Sequence, residues 1–403
     1  MNKCKGIYNT GNDCFINSTL QCLAVSPFIL SFINYYEAQD IKLIEVIKKY
    51  NIASNKSNEL KIECEKLVKN KTILNISKEE VEILNYISKN NYVLYIYLSF
   101  KKIINNLNDN KIKPLCNSNF VSINKEMSEH FGFNYLFEGD QNDPHELIVY
   151  LLDKLHDAKK ISVPIIPSST LNKLDRYSQL YFNDYKKRYE NNYSLFVKNF
   201  YYYILSCVQC SKCKNITDDV SPTDILCVSI PDRFLENSDK IKQYQPDITL
   251  INEVTIYDCL NDMFTQEKIE YKCEKCNNDD DNYIEKKIMN TPKTLILKIK
   301  RYYTLGNNLV KNNQYIKYPL ILNIKPYIIG NVHEKYELYS IINHVGGLNS
   351  GHYYSYNKKY NTKTNTFLKQ WYCCNDAQVK EISNEDALCS QNAYMLFYQL
   401  IVA

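Results

Sequence analysis

The alternation of apolar and polar positions divides the chain into a helical first half and a mostly extended second half. Ile16, Leu20, Leu23 and Ala24 recur at helical spacing, which predicts a helix from Cys14 that is interrupted at Pro27 and resumes to about residue 36. From about 38 to 125, Lys-, Asn- and Ile-rich sequence keeps a helical pattern. Within it, Ser77-Lys-Glu-Glu80 forms a capping-box signal opening a helix through Val81, Leu84 and Ile87. This region carries no chemistry by sequence and is expected to be a helical lobe or insertion. Asp143-Pro144-His145-Glu146 then announces another helix, with Asp143 as N-cap and Leu147, Ile148, Leu151, Leu152 and Leu155 as its buried face. After about residue 196 the runs Ile225–Ile230, Thr294–Ile299 and Leu338–Ile342 have strand character, and Asn277–Asn282 reads as a solvated tip between strands. The expected fold class is α+β.

Composition narrows the function. A net charge of +4 is too small to argue for a nucleic-acid or membrane partner. No stretch reaches the roughly 18 apolar residues of a membrane helix; Tyr92–Phe100 comes nearest. Residues 1–10 carry lysines and no apolar core, so a cytosolic or nuclear protein with reduced thiols is expected. There are only 9 glycines and 6 histidines in 403 residues, where ordinary usage would give roughly 28 glycines. Where glycine and histidine still cluster, backbone or chemical necessity is the cause to look for. Gly6 and Gly11 flank the turn before Cys14, while Gly346, Gly347 and Gly351 lie around His344 and His352.

Four constellations carry candidate chemistry. Cys14, at the predicted start of a helix, is placed where the helix dipole favours a thiolate nucleophile. His352, in Gly351-His-Tyr-Tyr-Ser-Tyr356, supplies an imidazole able to take a proton from a thiol and return it to a leaving amine. Trp371-Tyr-Cys-Cys-Asn375-Asp376 offers a group to orient that imidazole, or simply a turn. Cys210/Cys213 and Cys273/Cys276 are two CxxC pairs, the ligand set of a closed structural zinc site. Asn9, five residues before Cys14, could aim an amide N–H at a developing oxyanion or merely shape its turn.

In this order, from Gly6 to Tyr398, these features resemble the ubiquitin-specific proteases. The cysteine box is Gly6–Gln21, and the Gln-Gln-Asp box appears as Gln141-Asn-Asp143-Pro-His-Glu146-Leu. Pro292–Tyr302 resembles the family's strand ending in Lys-Arg-aromatic. The histidine box is Tyr336–Gly346 with Gly351-His352-Tyr353-Tyr354, and Trp371–Val379 with Ala393–Tyr398 closes the pattern. The resemblance implies a papain-like thiol protease with a helical thumb (1–195), fingers bearing zinc knuckles (196–300) and a palm with the histidine box (301–403). It implies a deubiquitinase of the ubiquitin-conjugation pathway, a hydrolase cutting the (iso)peptide bond after the C-terminal Gly-Gly of ubiquitin. A ubiquitin-binding pseudo-enzyme and a hydrolase of a ubiquitin-like modifier are the alternatives.

By position, Cys14 would be nucleophile, His352 base and acid, Asn375 the residue orienting it, Asn9 an oxyanion donor and Asp376 a supporting group. Asp143, His344 and Gly351 would contact the ubiquitin tail, and Cys210, Cys213, Cys273 and Cys276 would hold one structural zinc, with no catalytic cofactor. Ubiquitin and its conjugates are the implied partners of a monomer. The chain departs from the family at Asn142, Pro144 and Leu147, and at Asp13. There an acidic residue adjoins the nucleophile and would raise the thiol's pKa or cap the helix.

Overall fold

A computed structural model describes residues 4–52, 57–109, 113–167, 175–231, 234, 253–279, 281–305, 308–330, 334–347 and 350–401. Parts of the expected finger and insertion segments (235–252 and 110–112 among them) lie outside the described residues. The chain forms two compact units: Met1–Lys160 with Tyr353–Glu381, and Ile161–His352 with Ile382–Ala403.

The first unit is helical, as its periodicity predicts. Helices α1 (Cys14–Ala24) and α2 (Pro27–Tyr35) are bent by 74° where the sequence breaks at Ser26-Pro27. Ser26 accepts the N–H of Ile29 and Pro27 occupies the first turn, where no intrahelical donor is lost. Every residue of α1 is buried. Helices α3 (Glu37–Lys49), α4 (Ser57–Lys69), α5 (Lys78–Asn108), α6 (Ser118–Glu129) and α7 (Pro144–Ala158) complete the helical set. The Ser77–Glu80 capping box opens α5 reciprocally, and α5 runs on past Ile87 with a kink at Asn90. Leu94, Ile96, Tyr97 and Phe100 of its apolar stretch are fully buried in this unit. Among the described residues, no single helix is long and apolar enough to cross a membrane.

A buried ionic knot ties three helices. The Asp40 carboxylate of α3, 1% exposed, accepts from Tyr97 and from Lys101 of α5 at 2.7 Å. It also accepts from Lys159, just past α7, at 2.9 Å. Two buried cations around one carboxylate are tolerated because Lys101 also pairs with Glu37 at 2.6 Å and Lys159 lies over the Tyr36 and Tyr97 rings.

The same unit recruits a late part of the chain. Strands Thr366–Asn375 and Gly351–Asn361 pair antiparallel, Ser355 opposite Cys374. Near the start of the chain, Gly6–Tyr8 runs extended between two distant segments. Leu115 N–H donates to Gly6 O, Tyr8 N–H to Leu115 O, and Ile7 N–H to Asp376 O. A side chain at Gly6 would put its Cβ 2.3 Å from the Ala377 carbonyl oxygen, so only glycine permits this approach.

The second unit is strand-rich, with helices α8 (Arg176–Tyr189), α9 (Leu195–Phe200) and α10 (Ile256–Phe264). Four antiparallel strands follow the order Ile216–Thr223, Tyr202–Gln209, Asp281–Ile288 and Glu267–Glu270. A second set runs Ile225–Ser229, Thr294–Lys300, Ala393–Leu400 and Lys335–Gly346. Ile225–Ser229 and Thr294–Lys300 pair in parallel, and both are near-continuous apolar runs. Mixed helix and sheet is the class expected from the sequence.

Candidate active site and metal centre

Asn9, Cys14, Asp143, Asn375 and Asp376 belong to the first unit; His344, Gly351, His352 and the paired cysteines belong to the second. Cys14 begins α1 and is 2% exposed. Burial pushes its thiol pKa up, and the Asp376 charge adds to that. Backbone hydrogen bonds from Tyr353, Phe15 and Cys14 itself pull the other way and do not win. The expectation that the helix start favours a thiolate is not met: desolvation outweighs the backbone N–H groups there, and the net shift is upward. Tyr353, in the same unit, delivers a backbone N–H to the Cys14 sulfur.

The turn before Cys14 is organised around Asp376, whose backbone is left-handed at φ 49°. Its Oδ1 accepts from Asn17 Nδ2 at 2.8 Å and its Oδ2 from Asn9 Nδ2 at 3.0 Å. The Asn9 Oδ1 accepts the N–H groups of Gly11 and Asp13 at 3.1 and 3.2 Å. Asn9 therefore shapes the turn.

Asp13 occupies the N-cap position of α1 without a side-chain capping bond. Its carboxylate accepts instead from the Thr10 hydroxyl at 2.6 Å and from Asn117 Nδ2 at 3.4 Å. Asn375 ends its strand as an exposed residue. Asp143 caps α7, accepting the His145 N–H at 2.8 Å.

In the second unit His344 is buried against Gly351. A Cβ at Gly351 would lie 2.0 Å from His344 Nε2. Tyr302 Oη lies 3.3 Å from His344 Nδ1, and Lys311 Nζ donates to the carbonyls of His344 and Gly346, both at 2.9 Å. Burial, with Arg301 nearby, lowers the Lys311 pKa to about 8. Sequence reasoning passed over Lys311, whose partners are backbone carbonyls and leave no motif. It also passed over Asn117, which lies in the region judged free of chemistry.

The two CxxC pairs converge: the four sulfurs lie within 4.8 Å of one another, with Cys210–Cys276 and Cys213–Cys273 both at 3.6 Å. Tetrahedral zinc with Zn–S near 2.3 Å needs sulfurs about 3.8 Å apart, so the set fits such an ion. The two knuckles match. Lys214 N–H returns to Cys210 O and Asn277 N–H to Cys273 O, and Lys214 and Asn277 are both left-handed. Cys210 is pulled down to about 6 by hydrogen bonds to its sulfur, chiefly from the Cys213 backbone.

The expected solvated tip at Asn277–Asn282 is met in part, with Asn277, Asp279 and Asp281 exposed. Asn278 and Asn282 are buried, Asn278 donating to Ser211 Oγ and Asn282 accepting the Ser211 N–H at 2.8 Å. The asparagines tie one knuckle to the other.

A family model described as ubiquitin carboxyl-terminal hydrolase matches residues 5–398. A probable ubiquitin carboxyl-terminal hydrolase of Acanthamoeba polyphaga mimivirus is 25% identical over 450 residues, covering 98% of this chain and 89% of its own. Ubiquitin carboxyl-terminal hydrolase 8 of Saccharomyces cerevisiae is 31% identical over 160 residues, 36% of this chain and 32% of that one. The solved SAGA Ubp8/Sgf11/Sus1/Sgf73 DUB module bound to ubiquitin aldehyde has a chain similar in fold. Its TM-score is 0.62 at 20% identity, over 100% of this chain and 70% of that one.

The His344–Gly351 contact makes a local prediction. Gly351→Ala should lower the thermal midpoint by several degrees, whereas Gly347→Ala, with nothing within 4 Å of its Cβ, should change it by less than about one degree. Differential scanning fluorimetry of the two variants checks this; equal midpoints would contradict the contact.

Proposed function

The chain belongs to the ubiquitin carboxyl-terminal hydrolases, a family of cysteine proteases, and we propose that it is a deubiquitinase whose nucleophile is Cys14. The observation that carries the assignment of Cys14 is its setting: a buried sulfur at a helix start, met by backbone N–H groups, on a turn anchored to Asp376. A thiol held above its ordinary pKa by burial needs a base. In this reading His352 removes its proton, and Asn375 fixes which imidazole nitrogen faces the sulfur.

The thiolate adds to the carbonyl of the last glycine of ubiquitin, and the oxyanion is met by the Cys14 N–H and the second Asn9 N–H. His352 returns the proton to the leaving lysine amine, which leaves a thioester. Water, deprotonated by the same imidazole, releases the ubiquitin carboxylate and regenerates the thiol. His344 and Gly351, packed together without room for a further side chain, suit a slot for a Gly-Gly tail, and Asp143 would contact that tail from the cap of α7.

Cys210, Cys213, Cys273 and Cys276 would hold one zinc ion. Four protein ligands leave no open position, so the ion would stabilise the fold of the finger strands and take no part in the reaction.

Two measurements test these assignments. Ubiquitin bearing a C-terminal electrophile should form a covalent adduct with the wild type and none with Cys14→Ala. Labelling of both, or labelling only by another modifier, would overturn the reading. Elemental analysis of purified protein should find one zinc per chain, falling below about 0.2 in Cys213→Ser/Cys276→Ser, in line with the need for four ligands. Stoichiometric zinc in the double variant would exclude the site.

A further inference from the structure

We infer that Asn117 is a positioning residue for Cys14, its one amide tying the carboxylate of Asp13 to the side chain of Asn17. The inference rests on Cys14 being the nucleophile. Asn117 is wholly buried and stands at the N-cap of α6, where an asparagine ordinarily accepts an N–H from its own helix. It makes no such bond, and its Oδ1 has no partner among the described residues. Its Nδ2 instead donates to Asn17 Oδ1 at 2.9 Å and to Asp13 Oδ2 at 3.4 Å. A buried amide that leaves its acceptor unpaired, to place both donors on the nucleophile's turn, calls for an explanation beyond capping.

The direction of each bond is dictated. Asp376 can only accept, so Asn17 must present its NH2 to Asp376 and turn its Oδ1 back toward Asn117. Asp13 can only accept as well, so Asn117 must present NH2 to both neighbours. The chain Asp376–Asn17–Asn117–Asp13 therefore has one consistent polarity, running from one carboxylate to the other. Cys14 lies between Asp13 and Asn17 in sequence, and both flanks of its first turn are thereby fixed. With the Thr10 hydroxyl, Asn117 supplies the hydrogen bonds that hold the Asp13 carboxylate beside the nucleophile. This gives the departure at Asp13 a role: its charge is a designed acceptor at the end of a network.

The test compares Asn117→Leu, Asn117→Asp and the exchange variant Asp13→Asn/Asn117→Asp. Asn117→Leu should lower kcat on a ubiquitin C-terminal fluorogenic amide about tenfold, with KM within about twofold, because misplacement near reacting atoms costs rate rather than binding. It should also slow iodoacetamide alkylation of Cys14, followed on the Cys14 peptide by mass spectrometry. That readout needs no ubiquitin, so it fails separately from the proposed activity. Asn117→Asp sets two acceptors face to face and should be slower still. The exchange variant restores a donor–acceptor pair and should recover part of the loss. An Asn117→Leu enzyme with wild-type kcat and alkylation rate would overturn the inference, as would an exchange variant no faster than Asn117→Asp. Should Asn117→Leu fail to fold, Asn117→Asp decides: slowed alkylation of Cys14 in a folded protein supports the inference, and a wild-type alkylation rate overturns it.

Discussion

The carboxylate of Asp376 is the group on which the turn before Cys14 depends. It accepts from Asn9 on one oxygen and Asn17 on the other, while its backbone carbonyl accepts from Ile7. Because an ionised carboxylate cannot donate, it sets the orientation of both asparagine amides. Asn9 then turns its oxygen to the N–H groups of Gly11 and Asp13, and Asn17 turns its oxygen to Asn117. The contact of Gly6 with Ala377 closes the same junction from the backbone side. A turn at the start of the chain is thus built by a residue more than 350 positions away, which is why residues 353–381 fold with the first unit.

This arrangement carries an electrostatic cost. Asp376 raises the thiol pKa that the helix start and the backbone N–H groups lower, and burial raises it further. The net shift of the Cys14 thiol is upward. Order in the turn is gained at the expense of spontaneous ionisation.

Local signals in the sequence were good guides where the physics is local. The Ser77–Glu80 capping box, the Asp143-Pro144 helix start and the break at Ser26-Pro27 appear in the structure as expected, since each is set by residues within one turn. The CxxC pairs were legible because metal-ligand spacing is short and fixed. The polarity of Asn277–Asn282 predicts a solvated tip, and Asn277, Asp279 and Asp281 are exposed. Asn278 and Asn282 are buried by partners on the opposite knuckle, some 70 positions away. Asn117 left no signal for the same reason, and Asp13 looked like a defect until its partners Thr10 and Asn117 were in view. What stayed hidden was the set of polar residues whose roles are defined by distant partners.

The most direct test of this account is the activity of Asp376→Asn, because two effects of the carboxylate oppose one another. Asparagine tolerates the left-handed backbone, so the turn's main chain is preserved. Removing the charge alone would lower the thiol pKa and speed alkylation of Cys14. Removing one of the two acceptors leaves Asn9 or Asn17 facing an NH2 and disorders the turn. The account predicts that ubiquitin-amide hydrolysis falls at least about tenfold, although the charge that opposes ionisation is gone. A variant that hydrolyses as fast as the wild type, or faster, would contradict it.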